Sequence, residues 1–227
     1  MGVRIYPVPL GADCCYLIQG DGVVMIDGGC FKKTKSFLAT LEKLSVRPDE
    51  IKLVVLTHGH WDHIGSAKII KDITGARVAL HREEKDWLEK SLKQPLPPAV
   101  TAWGQLLAGI LTTFLPWVDI QATEVDTVLG DRAFPLAEYG IPGKILPTPG
   151  HSSGSVSVLL ETGDAFVGDL AMNAFPLNLR PGFPIFAEDI RQVRESWTLL
   201  LGEGAKMVYP AHGRPFPADV IRKALRS

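Results

Sequence analysis

The apolar positions of this chain change their period repeatedly, and each change marks a predicted element. Residues 3–8, 14–19 and 23–27 are short β-rich runs separated by Gly and Asp, and predict three strands. Gly20-Asp21-Gly22 is a hairpin signal between the second and third. The period then lengthens. Phe31, Thr34, Phe37, Leu38, Leu41 and Leu44 share one helical face with lysines on the other, and Pro48 stops that helix. Residues 53–56 are continuously apolar, as in a strand buried on both faces. Beyond them the pattern predicts a helix over 64–73, a strand over 77–80 and a helix over 82–90.

The second half repeats this grammar. Strand-like pieces cover 123–129, 144–147, 156–160 and 165–168, and a last strand covers 206–209. A helix is predicted over 188–201, with Ile190, Val193, Trp197 and Leu200 on one face, and a closing helix over 218–225. Strands mixed with helices in both halves predict an α/β (α+β) architecture of sheet layers covered by helices. No linker interrupts the pattern, so 1–227 reads as one domain, with an apolar, helical insertion at about 91–120.

That insertion changes the picture. From 94 to 118 there is no charged residue, and 106–115 is strongly apolar, a length that approaches a bilayer span. Pro95, Pro97, Pro98, Pro116, Gly104 and Gly109 interrupt it, and it lies between segments that must meet in one site. Membrane contact is therefore disfavoured. A lid, a buried helix or a homodimer seam stay open for it. Trp103, Leu106, Leu107, Ile110, Leu111, Phe114 and Trp117 could wall a pocket for an apolar group. A second apolar loop, 175–186, carries Pro176, Pro181, Pro184 and Gly182 and follows another candidate site residue directly.

The formal net charge of -1 over 227 residues offers no field to recruit nucleic acid or an anionic membrane. Three cysteines, Cys14, Cys15 and Cys30, form neither a disulfide framework nor a CxxC pair, and read as packed thiols of a reducing cytosol. Residues 1–10 lack the pattern of a signal peptide, which agrees with a cytoplasmic expectation.

The candidate chemistry is concentrated in histidines. Three of the six fall in His58-Gly59-His60-Trp61-Asp62-His63, at the end of the 53–56 strand. Imidazole nitrogen and carboxylate oxygen are good ligands for zinc and other first-row metals, and Gly59 permits a tight turn between ligands. Three more candidates sit at strand-to-loop junctions: His151, Asp169 and His212. His81 reads as a non-ligand. Asp27 ends a strand and has two open readings, a turn residue or a support for a ligand histidine. Ser152, Ser153 and Ser155 read as loop polarity rather than nucleophiles.

The ordered set HxHxDH, His, Asp, His resembles the metallo-β-lactamase superfamily over nearly the whole chain. The resemblance implies a four-layer αββα sandwich with two Zn2+ per chain, Fe or Mn being the alternatives. It implies that His58, His60 and His151 bind one ion, that Asp62, His63 and His212 bind the other, and that Asp169 bridges them. A metal-bridging hydroxide then cleaves an ester, thioester or lactone in a small-molecule substrate, with Asp62 as the candidate catalytic side chain for the leaving group. The resemblance also separates branches. Asp169 stands where the β-lactamase branches differ, and His60 where the flavo-diiron branch has a glutamate, so both are disfavoured. The chain ends soon after His212, without the helical region by which glyoxalase II grips glutathione. Near-neutral charge disfavours the ribonuclease Z branch. A mononuclear iron persulfide dioxygenase remains the alternative enzyme, and a non-catalytic metal-binding protein the third reading.

Overall fold

The three predicted N-terminal strands run antiparallel in sequence order: β1 (Arg4–Pro9), β2 (Cys14–Gln19) and β3 (Val23–Ile26). In the computed structural model, which describes residues 2–178 and 180–226, three parallel strands extend that sheet. They are β4 (Ile51–Val55), β5 (Arg77–His81) and β6 (Thr127–Leu129), giving a six-stranded sheet in the order β1-β2-β3-β4-β5-β6. The second sheet comprises β7 (Phe134–Pro135), β8 (Gly143–Pro147), β9 (Val156–Leu160), β10 (Asp164–Gly168), β11 (Met207–Pro210) and β12 (Phe216–Pro217). It is ordered β12-β11-β10-β9-β8-β7 and antiparallel except for the parallel β10–β11 pair.

Side-chain alternation along the strands builds the layers. Val24 and Ile26 of β3 and Leu53 and Val55 of β4 point inward, where they meet Val158 and Leu160 of β9 and Phe166 of β10. The neighbouring residues Met25 and Val54 point the other way. They pack against Phe37 and Leu41 of α1 (Thr34–Leu44) and Ile70 of α3 (Ala67–Thr74). On the far side Leu159, Val167 and Val208 meet Val193, Trp197 and Leu200 of α6 (Ile190–Gly202) and Ile221 of α7 (Asp219–Ala224). The result is the expected αββα sandwich. Full burial of each such large apolar side chain stabilises it by roughly 1.5–3 kcal/mol.

Several predicted boundaries move. The helix expected over 64–73 is two helices, α2 (Trp61–Ile64) and α3. The backbone leaves the helix at Ser66 (φ -110°, ψ 10°), next to Gly65, which is packed so tightly on the Phe31 amide and the Trp61 carbonyl that no side chain fits. The helix expected over 82–90 is the shorter α4 (Lys85–Glu89), and the strand expected over 123–129 keeps only its last three residues as β6. β7 and β12 are unpredicted. Each is a Phe-Pro pair, which reads as a turn signal, and each lies at an edge of the second sheet, where proline is tolerated.

The charge-free segment contains α5 (Ala102–Phe114), whose N-terminus is capped when Thr101 Oγ1 accepts from the Gly104 amide at 3.0 Å. Its inner face packs on the 172–186 region through Leu107, Met172, Ile185 and Phe186. Among the described residues no helix is long and apolar enough to cross a membrane.

Candidate metal centre

The strands that carry the candidate residues end on one rim of the sandwich. His58, His60, Asp62 and His63 follow β4, His151 follows β8, Asp169 follows β10 at once, and His212 follows β11. Strands β8, β10 and β11 all point the same way, because β9 is antiparallel to both β8 and β10 and β11 is parallel to β10. The folded chain therefore gathers residues up to 154 positions apart in sequence without a long loop.

All seven come together. His58 Nε2 and His151 Nε2 lie 2.9 and 3.0 Å from His60 Nδ1. Asp169 Oδ1 lies 3.4 Å from both His63 Nε2 and His212 Nε2, while its other oxygen, Oδ2, lies 3.8 Å from His151 Nε2. Asp62 Oδ2 is 3.3 Å from His212 Nε2. Three groups have ligand atoms all within 4.8 Å of one another: His58/His60/His151, Asp62/His63/His212 and His58/His63/Asp169. The third overlaps the first two and marks the place where they adjoin.

What these atoms point at is the decisive chemical fact. His151 Nδ1 donates to Phe186 O (2.9 Å), His212 Nδ1 to Ala12 O (3.2 Å) and His60 Nε2 to Pro95 O (3.3 Å), since a carbonyl can only accept. His63 Nδ1 donates to the Asp27 carboxylate at 3.0 Å. Thr57 Oγ1 donates to the same carboxylate at 2.9 Å, which leaves it to accept from His58 Nδ1 at 3.1 Å. Each imidazole thus anchors one nitrogen in the protein and turns the other inward, toward two carboxylates. His63 Nε2 and Asp169 Oδ1 are buried with no hydrogen-bond partner. A buried chamber on which imidazole nitrogens and carboxylate oxygens converge suits cations.

Electrostatics divides the cluster. Burial, with His63 and His60 beside it, drives the His58 pKa well below the usual imidazole value. Burial and the neighbouring His151 bring His60 down to about 3, and burial lowers His151 as well. These three rings are neutral and ready to ligate. For His63 burial works the same way, but the Asp27 and Asp169 carboxylates overcome it and raise its pKa well above the usual value. Asp169 and Asp62 do the same for His212. In return, against the effect of burial, His212 and His63 hold Asp169 well below the usual carboxylate range and Asp62 below it too.

The residues matched by the metallo-β-lactamase superfamily model run from 10 to 212, and so span every one of these positions. The chain belongs to the metallo-β-lactamase superfamily. Within it, the chain is 24% identical over 216 residues to the probable metallo-hydrolase YflN of Bacillus subtilis, covering 89% of this chain and 79% of that one. It is 30% identical over 178 residues to the hydroxyacylglutathione hydrolase GloC of Haemophilus influenzae, covering 75% and 72%. An archaeal superfamily protein from Sulfolobus tokodaii shares its fold with a TM-score of 0.67 at 22% identity, over 98% of this chain and 84% of that one.

The superfamily scaffold also explains residues around the ligand loops. Both open readings of Asp27 hold: it turns the chain at φ 61° and its carboxylate orients His63 and Thr57. A side chain at Gly59 would also crowd Glu84, Trp87 and Gln94. Glu84 was not singled out from the sequence, yet it is fully buried and ties two ligand loops together. Its carboxylate accepts from the Gly59 amide (3.1 Å), the Gly154 amide (3.0 Å) and Ser152 Oγ (2.7 Å). Ser152 and Ser155 are engaged within this network, their hydroxyls lying 2.8 Å apart. His81 stands apart, with Nε2 3.7 Å from Asp131.

A cavity of about 100 Å3 opens over the cluster, with His60, Asp62, His151, Asp169 and His212 on one side and Leu96, Leu111, Met172, Leu177, Ile185 and Phe186 opposite. The 175–186 loop thus borders the site. Of the α5 residues expected to wall a pocket, Leu111 lines this cavity. Leu106, Ile110 and Phe114 face outward and are exposed, because α5 packs through a single narrow face, and Trp117, just beyond the helix, is exposed as well.

Proposed function

We propose that the protein is a dinuclear zinc hydrolase that cleaves an ester, thioester or lactone of a small molecule. The observation that carries this reading is the inward-facing set of five imidazole nitrogens and two carboxylates, with the two oxygens of Asp169 turned toward different histidine groups. His58, His60 and His151 hold one ion, Asp62, His63 and His212 hold the other, and Asp169 serves both. Bound zinc supplies a Lewis acid for a carbonyl and lowers the pKa of water from 15.7 to about 7 in the best-known case.

The protein's own groups do the rest. Main-chain carbonyls and Asp27 fix the imidazole orientations before any ligand arrives, so little reorganisation is needed. Asp62 is the least buried of the seven and lines the cavity, where its ionised carboxylate is placed to take up the proton released by the attacking water and return it to the leaving group. Apolar Leu96, Leu111 and Phe186 keep the chamber dry, which strengthens every charge interaction inside it. The names of YflN and GloC support hydrolysis in this family without fixing the substrate.

The test is a panel of esters, thioesters and lactones offered to the zinc-loaded protein. Turnover of at least one class, lost on chelation and regained with zinc, is expected. Absence of turnover across all three classes contradicts the reading.

A further inference from the structure

Beside the site cavity lies a much larger one of about 680 Å3, within the ordinary range of small-molecule clefts of roughly 300–1,000 Å3. Leu177 and Ile185 line both, so the two spaces adjoin at these two residues. The larger cavity is otherwise walled by Val100, Trp103, Phe175 and Phe183 together with backbone and proline surface.

Its few polar groups are already engaged. Trp103 Nε1 donates to Pro176 O at 2.7 Å, Asn178 Nδ2 donates to Phe183 O at 3.1 Å, and Thr101 Oγ1 caps α5. Among the described residues lining it there is no Asp, Glu, Lys, Arg or His. A ligand there finds no counter-charge, and the hydrogen-bonding side chains are limited to Thr101 and Asn178, each already tied to the protein. What it finds is aromatic and aliphatic surface, so the occupant is an uncharged apolar group.

We propose that this cavity holds the hydrocarbon chain of the substrate, and that Leu177 and Ile185 form the doorway through which the chain leads to the carbonyl at the metal centre. The identity of the bound group as part of a substrate rests on the hydrolase reading; the binding of a hydrocarbon does not. Adjacency to the site cavity at those two shared residues favours this occupant over a second copy of the chain laid on α5. Leu106, Ile110 and Phe114 on the outer face of α5 line neither cavity.

Two variants separate the alternatives. Val100→Asp places a charge at the rim of the cavity, and Phe175→Asp does so from the other wall. Both residues are exposed, at 39% and 81%, so the second serves if the first fails to fold by circular dichroism. Ile110→Asp charges the outer face of α5 instead. The metal-loaded proteins are titrated with the uncharged fluorophore 1-aminoanthracene, with 1-dodecanol as competitor. The expected result is about one probe per chain, displaced by dodecanol, with affinity lowered at least ~10-fold by the cavity variants and altered no more than ~2-fold by Ile110→Asp. In parallel, the ratio of kcat/KM for dodecanoyl over butanoyl esters falls ~10-fold in the cavity variants. No probe binding in the parent protein overturns the proposal. So does loss of binding in Ile110→Asp accompanied by dissociation of a dimer, which assigns the surface to a second copy. If no ester is turned over but dodecanol still displaces the probe, the hydrolase reading fails and the cavity assignment stands.

Discussion

The Asp27 carboxylate lies 3.0 Å from His63 Nδ1 and 2.9 Å from Thr57 Oγ1, so a single buried acid orients His63 directly and His58 through the threonine. Replacing it with asparagine keeps the size and tolerates the left-handed backbone at φ 61°. It removes the charge that fixes the His63 tautomer. Asp27→Asn is expected to weaken metal binding about 10–100-fold with the fold intact. Competition against a chromophoric chelator measures this, and unchanged affinity would show that Asp27 serves the turn alone.

Gly168 stands immediately before Asp169 at φ +52°, and a side chain there would strike Thr57. Gly168→Ala therefore combines backbone strain with displacement of the threonine that seats His58. We expect a loss of stability of about 1–3 kcal/mol together with weaker metal retention. Urea denaturation and metal analysis report the two effects separately.

Glu84 is the one buried acid that joins the 58–63 loop to the 151–155 loop. Its removal leaves two amides and a hydroxyl without partners in the interior. Glu84→Ala is expected to cost on the order of 3 kcal/mol, since each unsatisfied buried group costs ~1–3 kcal/mol and the cavity can admit some water. Glu84→Gln keeps an acceptor and should lose less. A Gln variant as unstable as the Ala variant would assign the effect to charge rather than to the three hydrogen bonds.

The split in histidine electrostatics gives a pH prediction. His63 and His212 have raised pKa values, so in the metal-free protein they keep protons that a cation must displace. Affinity at the Asp62/His63/His212 group then rises with pH, about tenfold per unit for each proton released. His58, His60 and His151 are shifted down, His60 to about 3, so their group has no proton to lose near neutrality. Lowering the pH from about 8 to about 6 should release one ion well before the other. Calorimetric titration in buffers of different ionisation enthalpy counts the protons. Equal pH slopes for both ions would contradict the assignment.

The sequence made the histidine and aspartate cluster legible because its residues are chemically unlike their surroundings. Three histidines in six residues at a strand end, and single His, Asp and His residues at three later strand ends, are visible without a structure. Sheet layers covered by helices were legible for a related reason, since residues 53–56 are too continuously apolar to face water, but the four-layer sandwich followed only from the family resemblance. The supporting residues were hidden by ordinary local context. Glu84 sits in Arg82-Glu83-Glu84-Lys85, which reads as a solvated charge run, and only its burial beneath the 151–155 loop distinguishes it from Glu83. Asp13 reads as a turn residue, yet burial lifts its pKa to about 7, with Cys15 and Cys30 thiols 3.4 and 3.8 Å from its oxygens. On α5, helical spacing identifies an apolar face but not its partner. Packing through Leu107 turned Leu106 and Phe114 outward, where a pocket wall was expected.

The most direct test of the central claim is the metal content of untagged protein, by elemental analysis, for the parent and for Asp169→Ala. The account predicts about two zinc ions per chain in the parent and loss of at least one in the variant, because Asp169 faces both histidine groups. One iron per chain, or two firmly held ions in Asp169→Ala, would contradict it.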